Sequence, residues 1–174
     1  FHDGEVYKMM ERVAKTGQIF AVHGENSDLI QTLTAKIKEQ GGSTYEDFVA
    51  TRPALAEILA VQTGIEMAKQ TGARFHVLHV SSGKAVDLVK KAQSEGYPVT
   101  VETCPHYLFL SVEDYERVGP QMKIYPLVKY KEDQDRIWEG IREGTISHVC
   151  SDHAPHTEEE KDGDLWSIPA GMCG

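Results

Sequence analysis

Cysteine is scarce in this sequence. Only Cys104, Cys150 and Cys173 stand in 174 residues, too few and too scattered for a disulfide framework, and no Cys-x-x-Cys spacing suggests a zinc knuckle or redox pair. A reducing cytoplasm is the expected compartment. No apolar run approaches the roughly 20 residues of a membrane span, and the N-terminus lacks the basic and apolar regions of a signal peptide. Basic residues are outnumbered, with 18 Lys and Arg against 27 Asp and Glu for a formal charge of −9. None of them form the block of like charge that nucleic acid or an anionic membrane rewards. Small molecules and protein partners remain. Repeats, low-complexity tracts and a convincing linker are absent as well. An initiator Met is also lacking: the chain opens at "FHDGE" and stops at "IPAGMCG", which reads as a portion of a longer protein.

What is present is an ordinary globular composition, 40% hydrophobic and 26% charged, enough to bury one domain. Short β-rich runs alternate with helical stretches. "IFAVHG" (19–24) predicts a strand, followed by a helix over "SDLIQTLTAKIKEQGG" with Ser27 as N-cap and Gly41 as its stop. "RPALAEILAVQTGIEMAKQTG" predicts a helix with Pro53 in its first turn and Gly72 at its end, weakened slightly by Gly64. "RFHVLHVS" (74–81) and "VTVETCP" (99–105) predict two more strands, with the helix "SGKAVDLVKKAQSEG" between them. "SVEDYERVG" reads as a short helix capped by Ser111, with Asp114 in place of the Glu or Gln of a full capping box. "KEDQDRIWEGIREG" is the last helix before "ISHVC", the fourth strand. Strands separated by helices of this length imply parallel βαβ units covered by helices, either half of a (βα)8 barrel or most of a small open sheet.

Three of these strands end alike: "IFAVHGEN" at His23, "RFHVLHVSS" at His79 and "ISHVCSDHAPH" at Asp152. In parallel α/β folds the carboxyl ends of the strands share one face, so these three residues are expected to converge there. Two imidazoles and a carboxylate suit a borderline divalent metal such as zinc, with manganese or another divalent ion as alternatives. Such an ion lowers the pKa of a bound water toward about 7, and the resulting hydroxide needs a base such as Asp152 to pass its proton to a leaving nitrogen. His76 lies an odd number of positions before His79 and is expected on the other side of the sheet. His148 sits deeper in its strand. Both are read as structural. "SSGKA" (81–85) lacks the upstream glycines of a phosphate loop and reads as a helix start.

"VHGEN", "LHVSS", "ETCPHYLFL", "SDHAPHTEEEK" and "IPAGMCG" resemble, in this order, motifs of the cyclic amidohydrolases, namely the hydantoinases, dihydropyrimidinases, allantoinases and dihydroorotases. "HGENSDLI" and "TCPHYLFL" are most similar to the hydantoinase and dihydropyrimidinase branch, and "SDHAPHTEEEK" to dihydroorotase. The resemblance implies a metal-dependent (βα)8 barrel that opens a ring amide by attack of a metal-bound hydroxide. His23 and His79 would bind one metal of a binuclear pair, and Asp152 the other while acting as base. By the same resemblance His156 becomes a candidate contact to the substrate. "MKIYPLVK" is similar to the segment where the residue before the first proline meets the ring; Tyr125 stands there, which leaves only its backbone for that contact and disfavours dihydroorotate.

The family pattern also contains a His-x-His pair on the first strand and, in most branches, a bridging lysine on the fourth. Neither is in this chain. Residues 1–174 therefore read as one partial barrel domain carrying the equivalents of strands five to eight, inactive by itself. Such a half would expose sheet edges and the apolar side chains meant for the barrel centre. The expected substrate is a small cyclic amide, a hydantoin or dihydropyrimidine, with dihydroorotase or allantoinase chemistry as the alternative. Family members are usually dimers or tetramers, so a homo-oligomer is expected. A non-catalytic, dihydropyrimidinase-like scaffold is the alternative of another class, disfavoured by retention of His23, His79 and Asp152.

Overall fold

The computed structural model describes residues 2–173; Phe1 and Gly174, the outer residues of "FHDGE" and "IPAGMCG", lie outside the described residues. The predicted alternation is what forms. Strands β1 (Ile19–Val22), β2 (Arg74–Val77), β3 (Val99–Thr103) and β4 (His148–Val149) lie side by side in chain order. All three pairings are parallel, with Phe20 opposite Phe75, Val77 opposite Val101 and Glu102 opposite His148. Eight α-helices are assigned among the described residues: α1 (Asp3–Ala14), α2 (Ser27–Glu39), α3 (Tyr45–Thr51), α4 (Ala54–Thr71), α5 (Gly83–Ser94), α6 (Pro105–Phe109), α7 (Tyr115–Val118) and α8 (Lys131–Arg142).

One face of the sheet builds the core. Phe75, Val77, Val99 and Val101 are buried there together with Val61 and Ile65 of α4 and Val86 and Val89 of α5. Val61, Ile65 and Ala68 mark a helical stripe on α4, which is why that helix lies down on β2. Gly64 sits on the same stripe because nothing larger fits: a Cβ there would stand 2.3 Å from Phe75 Cζ. The sequence reading of Gly64 as a mild defect is corrected; it is the point of closest helix-to-strand approach.

The helix ends also depart from expectation in detail. Asn26, not Ser27, caps α2, its side chain accepting from the Leu29 N–H at 2.9 Å. Asp114 does the work expected of Glu or Gln, accepting from the Ser111 N–H at 2.9 Å. A shorter carboxylate reaches because the turn after Ser111 is a tighter 3-10 turn.

The opposite sheet face follows from strand alternation and register. It carries Ile19 and Ala21 of β1, Arg74 and His76 of β2, Thr100 and Glu102 of β3, and His148 of β4. This face was expected to be apolar. It is polar on three of its four strands.

Candidate active site

Each candidate strand end breaks the regular backbone. β1 stops at Val22 and β2 at Val77, so His23 and His79 stand just beyond the ladder. His79 has φ 37° and Asp152 φ 46°, the two non-glycine residues with positive φ among the described residues. Such conformations are uncommon and cluster at functional sites. Here they end the regular alternation of the strands. His76 turns onto the same sheet face as Glu102, whose charge also reaches His79.

His23 and His79 meet. His23 Nδ1 lies 3.2 Å from His79 Nε2, with the two rings edge to face at 4.9 Å between centroids. The other nitrogen of His23, Nε2, lies 2.8 Å from Glu25 Oε2, and Glu25 is in turn ion-paired with Arg52. A carboxylate on the outer nitrogen fixes the tautomer and orientation of the ring. Burial tends to raise the Glu25 carboxyl, but the hydrogen bond to His23 and the Arg52 charge outweigh it and hold it below the ordinary carboxylate value. Burial pushes the His79 imidazole below its usual value, and the His23 charge adds to this while Asp152 opposes it. A depressed His79 stays neutral near pH 7, the form that offers a lone pair. Its Nδ1 is buried with no hydrogen-bond partner among the described residues.

Asp152 is exposed, and its charge acts on His79, His106, Cys104 and Cys150. Tyr125 joins the cluster through its ring, which lies 3.5 Å beneath the Arg52 guanidinium. His156 belongs to the last loop, with Nε2 3.3 Å from Ala170 O and Nδ1 3.5 Å from Glu160. A Cβ on Gly171, at φ 150°, would stand 2.9 Å from that ring. The structure thus brings His23, His79 and Asp152 to one end of the sheet, links Tyr125 to them through Arg52 and Glu25, and keeps His156 against the final loop.

Glu25, Arg52 and His106 are not singled out by the sequence pattern. Glu25 lay in view inside "VHGEN", two residues after His23. Arg52 was masked by its place before Pro53, where it read as a helix start. His106 sits in "ETCPHYLFL"; it is buried with no hydrogen-bond partner for Nε2 among the described residues, and desolvation drives its pKa down to about 4.

Parallel βα units with polar side chains gathered where the strands end define part of a TIM-type barrel enzyme fold. Comparison with known proteins sharpens that class. No family model matches the chain. An allantoinase of Enterococcus faecalis is 40% identical over 160 residues, which are 92% of this chain and 35% of that protein. An L-hydantoinase of Paenarthrobacter aurescens is 38% identical over 99% of this chain and 38% of its own length. The solved structure of L-hydantoinase (dihydropyrimidinase) from Arthrobacter aurescens superposes on the whole chain with a TM-score of 0.95 and 37% identity, 39% of that chain being covered. The chain belongs to the cyclic amidohydrolase family and spans a little over a third of the length of the relatives it matches. Its barrel is correspondingly partial.

Proposed function

We propose that this chain supplies part of the catalytic centre of a hydrolase that opens a ring amide in a cyclic ureide or imide. Hydantoin and dihydropyrimidine rings are the first substrates to consider, allantoin the next. The observation that carries the reading is the 3.2 Å approach of His23 Nδ1 to His79 Nε2 at adjacent strand ends, in a chain 38% identical to an L-hydantoinase.

The donor set fits a divalent ion. Two nitrogens bound to one tetrahedral zinc at about 2.0–2.1 Å lie roughly 3.3 Å apart, and these rings are already so placed. His79 is held neutral by burial, and His23 is oriented from behind by Glu25. A bound ion of this kind polarises a water so that it can act as a nucleophile at neutral pH. Zinc is the first candidate, and a second ion would take Asp152 with ligands from outside this chain. The Asp152 carboxylate accepts the water's proton and hands it to the ring nitrogen as the C–N bond breaks. Arg52, fixed between Glu25 and the Tyr125 ring, closes the side of the site where a ring substrate would lie. His156 is assigned the outer end of the substrate.

The test uses the full-length protein that carries this chain, assayed for metal content and for hydrolysis of hydantoin, dihydrouracil and allantoin. Asp152→Asn is expected to lower kcat by about 10²- to 10⁴-fold with His23 and His79 still holding metal, whereas His79→Ala loses the metal of the His23 and His79 pair and turnover together. Unchanged turnover in Asp152→Asn would overturn the reading. A protein free of both metal and hydrolysis would be the scaffold instead.

A further inference from the structure

A second group of potential ligands lies on the inward sheet face, separate from the His23 and His79 pair. His76 of β2, Glu102 of β3 and His148 of β4 offer one ligand atom each, and these atoms all lie within 4.8 Å of one another. His76 is three residues before His79 and His148 four before Asp152, which places the group on the paired strands, ahead of the positive-φ turns at His79 and Asp152.

The hydrogen bonding around it has a direction. His148 Nε2 lies 2.5 Å from Glu102 Oε2, and His76 Nε2 lies 3.2 Å from the same oxygen. Each ring is held at its other nitrogen by a hydroxyl, His76 Nδ1 by Thr100 Oγ1 at 2.7 Å and His148 Nδ1 by Ser147 Oγ at 2.9 Å. Ser147 Oγ already donates its single proton to Val101 O at 2.9 Å. It therefore accepts from His148 Nδ1–H, which turns Nε2 of that ring toward the Glu102 carboxylate. The rings stack at an interplanar angle of 6° with centroids 5.5 Å apart, so both Nε2 atoms address the same space. Cys150 Sγ closes the arrangement from behind, 3.0 Å from Glu102 Oε1.

We infer that His76, Glu102 and His148 form a divalent metal site in the barrel interior, selective for a borderline ion such as zinc. Imidazole and carboxylate ligands suit that ion, and a partner on the outer nitrogen, here a hydroxyl, holds each ring in place. Binding would open the 2.5 Å contact toward the roughly 3.3 Å spacing of ligands on one ion. Residues Glu102 and His76 are buried while His148 is open to the sheet face, which leaves a coordination position for water or for a residue opposite. With two protein nitrogens and one carboxylate drawn from three neighbouring strands, the site reads as structural, tying β2, β3 and β4 together from within.

The test is zinc binding by the full-length protein, stripped with chelator, reloaded with zinc and dialysed. The double variant His76→Gln with His148→Gln is expected to lose one zinc per chain that His79→Ala retains, and the converse loss is expected at the His23 and His79 pair. Equal zinc content in wild type and double variant would overturn the site. If the double variant does not fold, crystals of the unaltered protein grown with zinc decide. An anomalous peak at the zinc edge about 2.0–2.2 Å from the three ligand atoms supports the site; none there, whatever is seen at His23, overturns it.

Discussion

His106 shows how a residue can be costly through burial alone. Buried beneath the strand ends, its imidazole is driven by desolvation from an ordinary value of 6.5 down to about 4, against the pull of Asp152. Between those two values the unfolded chain binds a proton that the folded chain refuses. Stability from this group is therefore complete above about pH 6.5 and is lost as the pH falls toward 4, up to about 3 kcal/mol in all. His106→Gln, which cannot titrate, is expected to flatten the dependence of urea midpoint on pH across that window. Superimposable curves for the two proteins would contradict it. At this scale the sequence was legible where polar residues follow apolar runs, as at His23, His79 and Asp152. It was silent where function depends on who stands behind whom: Glu25 behind His23, Arg52 between Glu25 and Tyr125, Ser147 behind His148. Those partners are 2, 27, 73 and 1 residues apart in sequence, and no spacing rule links them.

Elements were legible to the extent that their signals are local. Periodic apolar residues gave α4 and α5, and β-branched runs gave β2 and β3, because short-range sterics and one buried face decide them. Strand ends were not, since positive φ at His79 and Asp152 is a conformation that local propensity does not announce. The meaning of Gly64 was hidden for the same reason. Its missing Cβ is required by Phe75, which is 11 residues away and on another element. Gly64→Ala gains helix propensity of up to about 1 kcal/mol but forces Phe75 off its position at an overpacking cost of about 1–3 kcal/mol. Net destabilisation is expected, read as a lower urea midpoint. Gly64→Ala paired with Phe75→Leu should recover most of the loss, whereas a gain in midpoint for Gly64→Ala alone would show that α4 can shift away from β2.

For the molecule as a whole, the sheet matters more than its helices. Four parallel strands leave β1 and β4 each with one unpaired edge among the described residues, and exposed edges recruit other chains. The inward face that these strands share is not a greasy surface awaiting burial; it carries Arg74, His76, Thr100, Glu102 and His148 beside Ile19 and Ala21. Charge on that face keeps a partly covered sheet from collapsing on itself, and it asks for polar or ionic partners opposite. Relatives that this chain matches over nearly all its length are more than twice as long, so groups opposite His23 and His79 would come from outside these 174 residues. Expressed by itself, the 174-residue chain is therefore expected to associate through its open edges and to turn over hydantoin at least about 10³-fold more slowly than the full-length protein, since a half-assembled ligand set leaves neither water nor substrate positioned. Light scattering across a concentration series and a hydantoin assay check both points. A monomer with near-native turnover would mean that His23, His79 and Asp152 suffice, and that the missing strands serve only to close the barrel.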